Sequence, residues 1–326
     1  MKTLSLILIL PGLATCAEPG MPAVKLEMDQ VQFLMGGELV TRYYIGTGLA
    51  KPYFWPLNAP GQIPVTRGWP LEKGLPKETT DHIHQKSAWF SHGDVIPEGI
   101  TIVPSSDKHV KGVDTWSEGK GHGRIVCNSA ELLDSTTLKT KNVWQDSAGT
   151  KILDEVRTIS LHAAGMGRLI VVDIDMDASV CPLTFGDTKE GSMGVRVNDQ
   201  IRLTAKGLHS TLVNAEGKSG EAAVWGMLSD WCDYSGEIDG KMAGISLFDD
   251  PSNKPRACWH SRGYGLMASN PFGRSESGFP ARKGEKELTK LAKGEHLHLR
   301  YGIYLHSGDS KEGGVATAFE QFTKLK

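Results

Sequence analysis

The densest run of groups able to do chemistry is Asp81-His82-Ile83-His84-Gln85-Lys86-Ser87-Ala88-Trp89-Phe90-Ser91-His92-Gly93-Asp94. If the run is extended, a side-chain period of two puts His82, His84, Lys86 and His92 on one face. Two imidazoles at that spacing can share proton transfer near neutral pH or converge on a metal. A metal site would need a third ligand, for which His122, His260, His296 and His298 are the candidates. The plainer alternative is a capped loop plus a hydrogen-bonded core histidine. The functional reading makes His84 and His92 the proton carriers and His82, Lys86 and Asp94 substrate contacts, and it assigns no metal ligand.

Two further clusters complement this one. In Phe185-Gly186-Asp187-Thr188-Lys189-Glu190-Gly191-Ser192-Met193-Gly194-Val195-Arg196, three glycines permit tight turns. Such turns can hold Glu190 at a strand edge as the opposing acid or base, with Lys189 and Arg196 as cations, though a solvated charged hairpin fits equally. In Cys258-Trp259-His260-Ser261-Arg262 and Asn270-Pro271-Phe272-Gly273-Arg274, tryptophan beside histidine and arginine suits a sugar. An indole stacks on apolar C–H faces, while arginine and histidine bind hydroxyls or a carboxylate. His260 joins the catalytic candidates, and Trp259, Arg262 and Arg274 join the substrate contacts; against this, Trp259 is equally at home in a core.

Several motifs are missing. There is no GxxxxGK[ST], HExxH or GxSxG, which argues against a P-loop NTPase, a zincin and an α/β-hydrolase. Gly119-Lys120-Gly121-His122-Gly123 follows no apolar strand, so a dinucleotide site is not expected there. The formal net charge is −2 with no long basic run, which gives nucleic acid no electrostatic footing.

The elements that must position these residues read mostly as strands. Between Leu138 and Asp177, Val143-Trp144, Ile152 to Ile159 and Leu169 to Ile174 are separated by turn residues, as in a three-strand meander. Other strands are expected at Val24 to Met28, Glu38 to Ile45, Ser87 to His92, Arg124 to Leu132, Gly194 to Val197, Ala222 to Leu228, Ala243 to Phe248, Cys258 to Ala268 and His296 to His306. In the last of these, Leu297, Leu299, Tyr301, Ile303 and Leu305 face one way, and His296, His298, Arg300, Tyr304 and His306 the other. Lys51 to Thr80 reads as the longest irregular stretch. From about Gly313, Val315, Phe319, Phe322 and Leu325 form the apolar stripe of a helix that should dock on a sheet. The expected class is all-β: a large antiparallel sandwich, with a supersandwich among the arrangements allowed, and a short C-terminal α-helix. With 326 residues and no composition break, residues 18–326 are expected to form one domain.

Residues 1–17 read as an export signal. Lys2 supplies the charge, Leu4 to Leu10 the apolar run, and Leu13-Ala14-Thr15-Cys16-Ala17 the small residues of a cleavage region. Release after Ala17 is favoured over lipid attachment at Cys16, because Thr15 is unusual before a lipidated cysteine. The expected location is periplasmic or extracellular. The run is far shorter than the roughly 20 residues of a spanning helix. Cys127, Cys181, Cys232 and Cys258 are spaced too widely for a zinc ribbon; one or two disulfides and four buried thiols are both open readings.

Taken together, Lys51-Pro52-Tyr53-Phe54-Trp55-Pro56-Leu57, Val65-Thr66-Arg67-Gly68-Trp69-Pro70, the Asp-His-x-His segment ending Trp89-Phe90-Ser91-His92-Gly93-Asp94, Gly186 to Gly191 and Asn270-Pro271-Phe272-Gly273 resemble a bacterial family labelled "methane oxygenase PmoA". The resemblance spans most of the mature chain. It implies an exported or lipid-anchored protein with an all-β fold similar to sugar-handling sandwiches. Members carry proline and a further histidine where this chain has Ile83 and Gln85, a departure that weakens a three-histidine metal site while His82, His84 and His92 still match.

The leading expectation is action on a carbohydrate or related polyhydroxylated substrate by His/Glu acid–base chemistry, of lyase, epimerase or hydrolase type. The alternatives are a non-catalytic carbohydrate-binding or surface-assembly module, and a metal-dependent oxygenase as the family label implies. The sequence requires no cofactor and leaves a metal open. It points to a small-molecule or glycan partner and leaves the oligomeric state open.

Overall fold

A computed structural model describes residues 20–325 except 77, 106 and 206–208. The expected export signal and the candidate lipidation site at Cys16 lie outside the described residues. No described helix is long and apolar enough to cross a membrane.

The strands form two large antiparallel sheets and one small one. The first large sheet runs, in hydrogen-bonded order, Pro22–Leu26, Gln30–Met35, Glu38–Tyr44, Tyr53–Ala59, Ala88–His92, Gly191–Arg196, Leu266–Asn270 and Cys258–Arg262, with Ile63–Pro64 paired to Tyr53–Ala59. The second runs Ser210–Asn214, Trp231–Ile238, Lys241–Asp249, His296–Ser307, Gly167–Asp177, Lys151–Ala164, Thr137–Gln145 and Arg124–Leu132. Thr289–Leu291, Leu183–Phe185 and Val95–Pro97 make the small one.

Alternation puts one face of each large sheet into a shared core. The first contributes Phe90, Met193, Val195, Trp259 and Met267, and the second Ile159, Val172, Ile174, Tyr301 and Ile303. Phe90 meets Tyr301 and Trp144 across the gap, each at 6.0 Å between ring centroids. As the alternation predicts, Leu297, Leu299, Tyr301, Ile303 and Leu305 all enter this core. Part of their opposite face is closed by the C-terminal helix, Val315–Lys324, whose Val315, Ala318 and Phe322 bury against Leu169, Val171, Phe248 and Tyr304. Arg300 donates to the Phe322 and Leu325 carbonyls and so satisfies the helix end.

Three expectations change. The apolar run Ala222 to Leu228 is not a strand: Glu221–Val224 is one helical turn, ended by Gly226 at φ 63° tight against Phe279 and Pro280. Cys258 to Ala268 is a hairpin, because the chain reverses at Gly265 (φ 102°) between two strands. Lys51 to Thr80 is not wholly irregular, since it holds the Tyr53–Ala59 and Ile63–Pro64 strands. The four described cysteines are all free and buried.

Candidate active site on the outer face of the first sheet

The side of the first sheet turned away from the core carries its own layer. Tyr53, Trp89, Leu266 and Ala268 project there and are roofed by Trp116, with Tyr44, Leu49, Trp55, Leu71 and Tyr264 half-buried at the margin. Gly194 makes room for the roof: a Cβ there would sit 2.9 Å from Trp89 Cζ2 and 3.0 Å from Trp116 Cη2. By the same alternation Arg196, His260 and Arg262 stand on this face.

The Asp81 to Lys86 segment crosses this layer as a turn held by buried arginines. Arg67 Nη1 and Arg196 Nη2 both donate to Asp81 Oδ1, at 2.5 and 2.9 Å. Arg67 Nη2 also binds the Asp81 and His82 carbonyls, and Arg196 Nη1 donates to Gln85 Oε1 at 2.7 Å. Both arginines are fully buried. Burial and the neighbouring Arg67 lower Arg196 to about 10. Burial raises the Asp81 carboxyl, but Arg196 and Arg67 outweigh it and hold it below the usual range. The Tyr264 ring meets both groups, with Arg196 4.6 Å from its centroid and the parallel His82 ring at 5.2 Å.

A second charged group flanks the same turn. Lys51, almost wholly buried, donates to the Trp116 carbonyl at 2.7 Å and to Glu118 Oε1 at 3.1 Å, while Lys86 donates to Glu118 Oε2 at 2.5 Å. Burial works against the charge on both Lys51 and Glu118. The two lysines nevertheless keep the Glu118 carboxyl low, whereas Lys51 itself ends below its ordinary value. An open hollow of about 580 Å³, lined by Ala50, Gly119, Lys120, His122 and Arg124 among others, adjoins this pair along the chain.

His84 lies within the same turn, two residues before Lys86. Burial, aided by Lys51, lowers it to about 4, and Glu190 and Glu118 are near enough for their charges to oppose that shift. The ring is therefore neutral at pH 7 and able to accept a proton. Its neighbour His82 stands edge-on at 5.7 Å. Glu190 comes from the loop before Gly191–Arg196 and pairs with Lys189 Nζ at 3.0 Å. That loop is pinned: Asn270 Nδ2 donates to the Thr188 and Lys189 carbonyls, and His260 Nδ1 lies 2.7 Å from the Lys189 oxygen. A carbonyl only accepts, so Nδ1 carries the hydrogen of a ring that burial, with Arg262, drives down to about 3. The His260 ring meets Trp225 edge-on at 5.0 Å, and Arg262 covers Trp225 at 3.7 Å while pairing with Glu221.

Eight expected site residues thus share the outer face or its rim: His82, His84, Lys86, Lys189, Glu190, Arg196, His260 and Arg262. Four expected residues lie elsewhere. His92 was placed with His82 and His84 by strict alternation, but His82 (φ 43°) and Ser87 (φ 53°) break the extended run before Ala88–His92 begins. His92 therefore faces inward against Phe185 and Phe272, with Nε2 donating to the Gly186 carbonyl, and burial lowers it to about 4. Asp94 receives the Lys111 and Gly112 amides. Trp259 is in the core between the sheets, its indole N–H on the Ser229 carbonyl. Arg274 spends its donors on the Pro271, Gly273 and Glu287 carbonyls and on Thr289 Oγ1.

The sequence reading passed over Lys51, Arg67, Glu118, Trp225, Glu221 and Tyr264. Lys51 and Arg67 stood inside motifs already singled out; nothing periodic marks the other four, which come from loops and turns. A metal centre on His82, His84 and His92 does not fit, because one ring stacks on Tyr264 and another lies across the sheet. Among the described residues no three His, Cys, Asp or Glu side chains gather as ligands.

The fold and this cluster define an antiparallel β-sandwich protein with imidazole, carboxylate and cationic side chains gathered outside its first sheet. Residues 30–320 match the family described as "Family of unknown function (DUF6807)", and the chain belongs to that family. No curated protein matches the chain. Among solved structures it is similar to a galactose mutarotase-like protein from Lactobacillus casei, with 12% identity, 88% of this chain and 100% of that one covered, and a TM-score of 0.36. It is also similar to a galactose mutarotase related enzyme from Lactobacillus acidophilus, with 8% identity, coverage of 89% and 98%, and a TM-score of 0.33. Neither this family nor these two similar proteins is described as a methane oxygenase.

Proposed function

We propose that the protein is an exported enzyme acting on a carbohydrate or related polyhydroxylated substrate by histidine–carboxylate acid–base chemistry, of lyase, epimerase or hydrolase type. The observation that carries this reading is the gathering of His82, half-buried His84, Lys86, the Lys189–Glu190 pair and Arg262 around the aromatic outer face of the first sheet. In the proposed roles His84 takes the substrate proton, Glu190 works opposite it, and Lys86, Lys189, Arg262 and Tyr264 offer donors to hydroxyls or a carboxylate. Arg196 and His260 are positioning residues, the first through Asp81 and Gln85 and the second through Lys189. The test is product formation from a panel of neutral and oxidised saccharides by purified protein. Turnover that falls about 10²-fold or more in His84→Ala and in Glu190→Gln supports the roles, and unchanged rates in both overturn them.

A second reading, a non-catalytic saccharide-binding module, is favoured by the half-buried Tyr44, 6.4 Å from Trp55 and stacked at 5.0 Å on Tyr53, whose ring lies 5.7 Å from Lys86 Nζ. Saturable binding without product from any panel member selects it.

A further inference from the structure

Asp81 and His82 form a pair whose parts are held separately. Asp81 Oδ1 takes both buried arginines, Arg67 and Arg196, while its other oxygen, Oδ2, lies 3.0 Å from His82 Nδ1. The His82 backbone is fixed as well: it sits at φ 43°, a region that few residues other than glycine adopt, and its carbonyl accepts from Arg67 Nη2 and the Gln85 amide. The ring lies parallel to Tyr264, 8° between planes and 5.2 Å between centroids. Arg67 and Arg196 close the turn through Asp81 Oδ1 and the Asp81 and His82 carbonyls, so neither Oδ2 nor the ring is needed for that. Carboxylate, backbone and aromatic platform together orient an imidazole that keeps 41% of its side chain open to solvent.

From this geometry we infer that His82 is a proton donor to the substrate and that Asp81 is its positioning residue. The inference rests on the acid–base reading of this face and adds a residue to it, since that reading gives His82 no part in proton transfer. A carboxylate at Nδ1 keeps a hydrogen there and stabilises the imidazolium, which leaves Nε2 as the nitrogen that meets a ligand. In the step, the Nε2–H bond breaks and its electron pair stays on nitrogen. A lone pair of a substrate oxygen forms the new O–H bond. Neutral His82 retains its hydrogen on Nδ1 and takes a fresh proton at Nε2 from water, to which the side chain is open. His84, edge-on to His82 at 5.7 Å and lowered to about 4, carries almost no proton at pH 7 and does not serve as the initial donor. The two imidazoles therefore divide the work, His84 taking a proton and His82 giving one.

The test has two readouts. In long-range proton–nitrogen spectra of protein carrying 15N-histidine, the neutral His82 ring, assigned by its loss in His82→Gln, should bear its hydrogen on Nδ1, against the Nε2 preference of a free histidine side chain. Asp81→Asn should shift that hydrogen to Nε2. Because Asp81→Asn also removes the carboxylate that both buried arginines bind, the kinetic readout uses His82→Gln, at an exposed position. On a saccharide that the unaltered protein converts, His82→Gln should lower kcat about 10²-fold, with KM and melting temperature little changed. A hydrogen on Nε2 of neutral His82 in the unaltered protein overturns the inference. So does full kcat in His82→Gln while His84→Ala and Glu190→Gln are slow, a result that leaves the acid–base reading standing. Unchanged rates in His84→Ala and Glu190→Gln, or a panel of saccharides without turnover, overturn that reading and the inference with it.

Discussion

His260 holds Lys189: its Nδ1 lies 2.7 Å from the Lys189 carbonyl oxygen, so the edge strand of the first sheet fixes the loop that carries Glu190. The pair is separated by 71 positions in the chain, and the carbonyl has a buried donor reaching it from a rigid strand. Replacing His260 by Phe removes that donor while keeping a ring beside Trp225. The expected cost is about 0.5–1.5 kcal/mol of unfolding free energy in urea, the net scale of one hydrogen bond, because Asn270 Nδ2 still donates to the same carbonyl. A loss of less than about 0.5 kcal/mol would mean that the bond to Lys189 does little.

Lys51 and Glu118 form a buried ion pair, and Lys86 binds the other oxygen of the same carboxylate. Glu118→Gln keeps the shape but leaves Lys51 without its counter-charge, and breaking such a pair costs about 3–5 kcal/mol. The variant should unfold at markedly lower denaturant concentration. Replacing both partners with Met and Leu should recover part of the loss, because it removes the buried Lys51 charge, while Lys86, which also binds Glu118, keeps its access to water. If the double variant is no more stable than the single one, the loss is not caused by an unpaired charge.

The fold was legible where one face of a strand is apolar and the other is not. His296 to His306 shows this directly, and the Leu138 to Asp177 meander and the C-terminal helix follow the same physics. Trp231–Ile238 escaped because its polar residues are buried: Asp233 lies inside, bound by His306 and Ser246, so the strand has no solvent face to announce it. Ala222 to Leu228 misled for the converse reason, since a short apolar run does not distinguish a strand from a buried helical turn. In the site, the local cluster of His82, His84 and Lys86 was visible, but its partners Arg67, Lys51 and Glu118 arrive from loops brought near by tertiary structure alone. The misplacement of His92 traces to two left-handed residues, His82 and Ser87, neither of them a glycine that would signal the break.

His92 gives a pH signature on stability. It is fully buried and lowered to about 4, so the folded state resists a proton that the unfolded chain accepts near 6.5. Between those values the unfolded state binds more protons, and stability falls as the pH drops from 6.5 towards 4. The slope from this group is about 1.4 kcal/mol per pH unit. His92→Leu should flatten the dependence of unfolding free energy on pH across that window. Identical slopes in the two proteins would show that His92 is not held neutral.

His306 acts in the opposite direction. Burial opposes its charge, but Asp233 Oδ2, 2.7 Å from Nε2, outweighs burial and raises its pKa. The stabilisation is complete below the unfolded value near 6.5 and is lost as the pH climbs through the raised folded value. Relative to His306→Gln, the protein should lose melting temperature as the pH is raised above 6.5. A difference that grows with pH would contradict the pairing.

The proposed base has its own profile. With His84 lowered to about 4, the acid limb of kcat/KM for any substrate the protein turns over should fall near pH 4 instead of 6.5, and it should vanish in His84→Ala along with most of the rate. An acid limb centred on 6.5 would place proton transfer on a solvent-exposed histidine.

The most direct measurement is a crystal structure of the His84→Ala protein with a saccharide that the unaltered protein converts. The account predicts the sugar on the outer face of the first sheet, a ring carbon beside position 84 and polar groups within hydrogen-bond distance of Glu190 and Lys86. A sugar bound on any other surface, with Glu190 and Lys86 untouched, would contradict it.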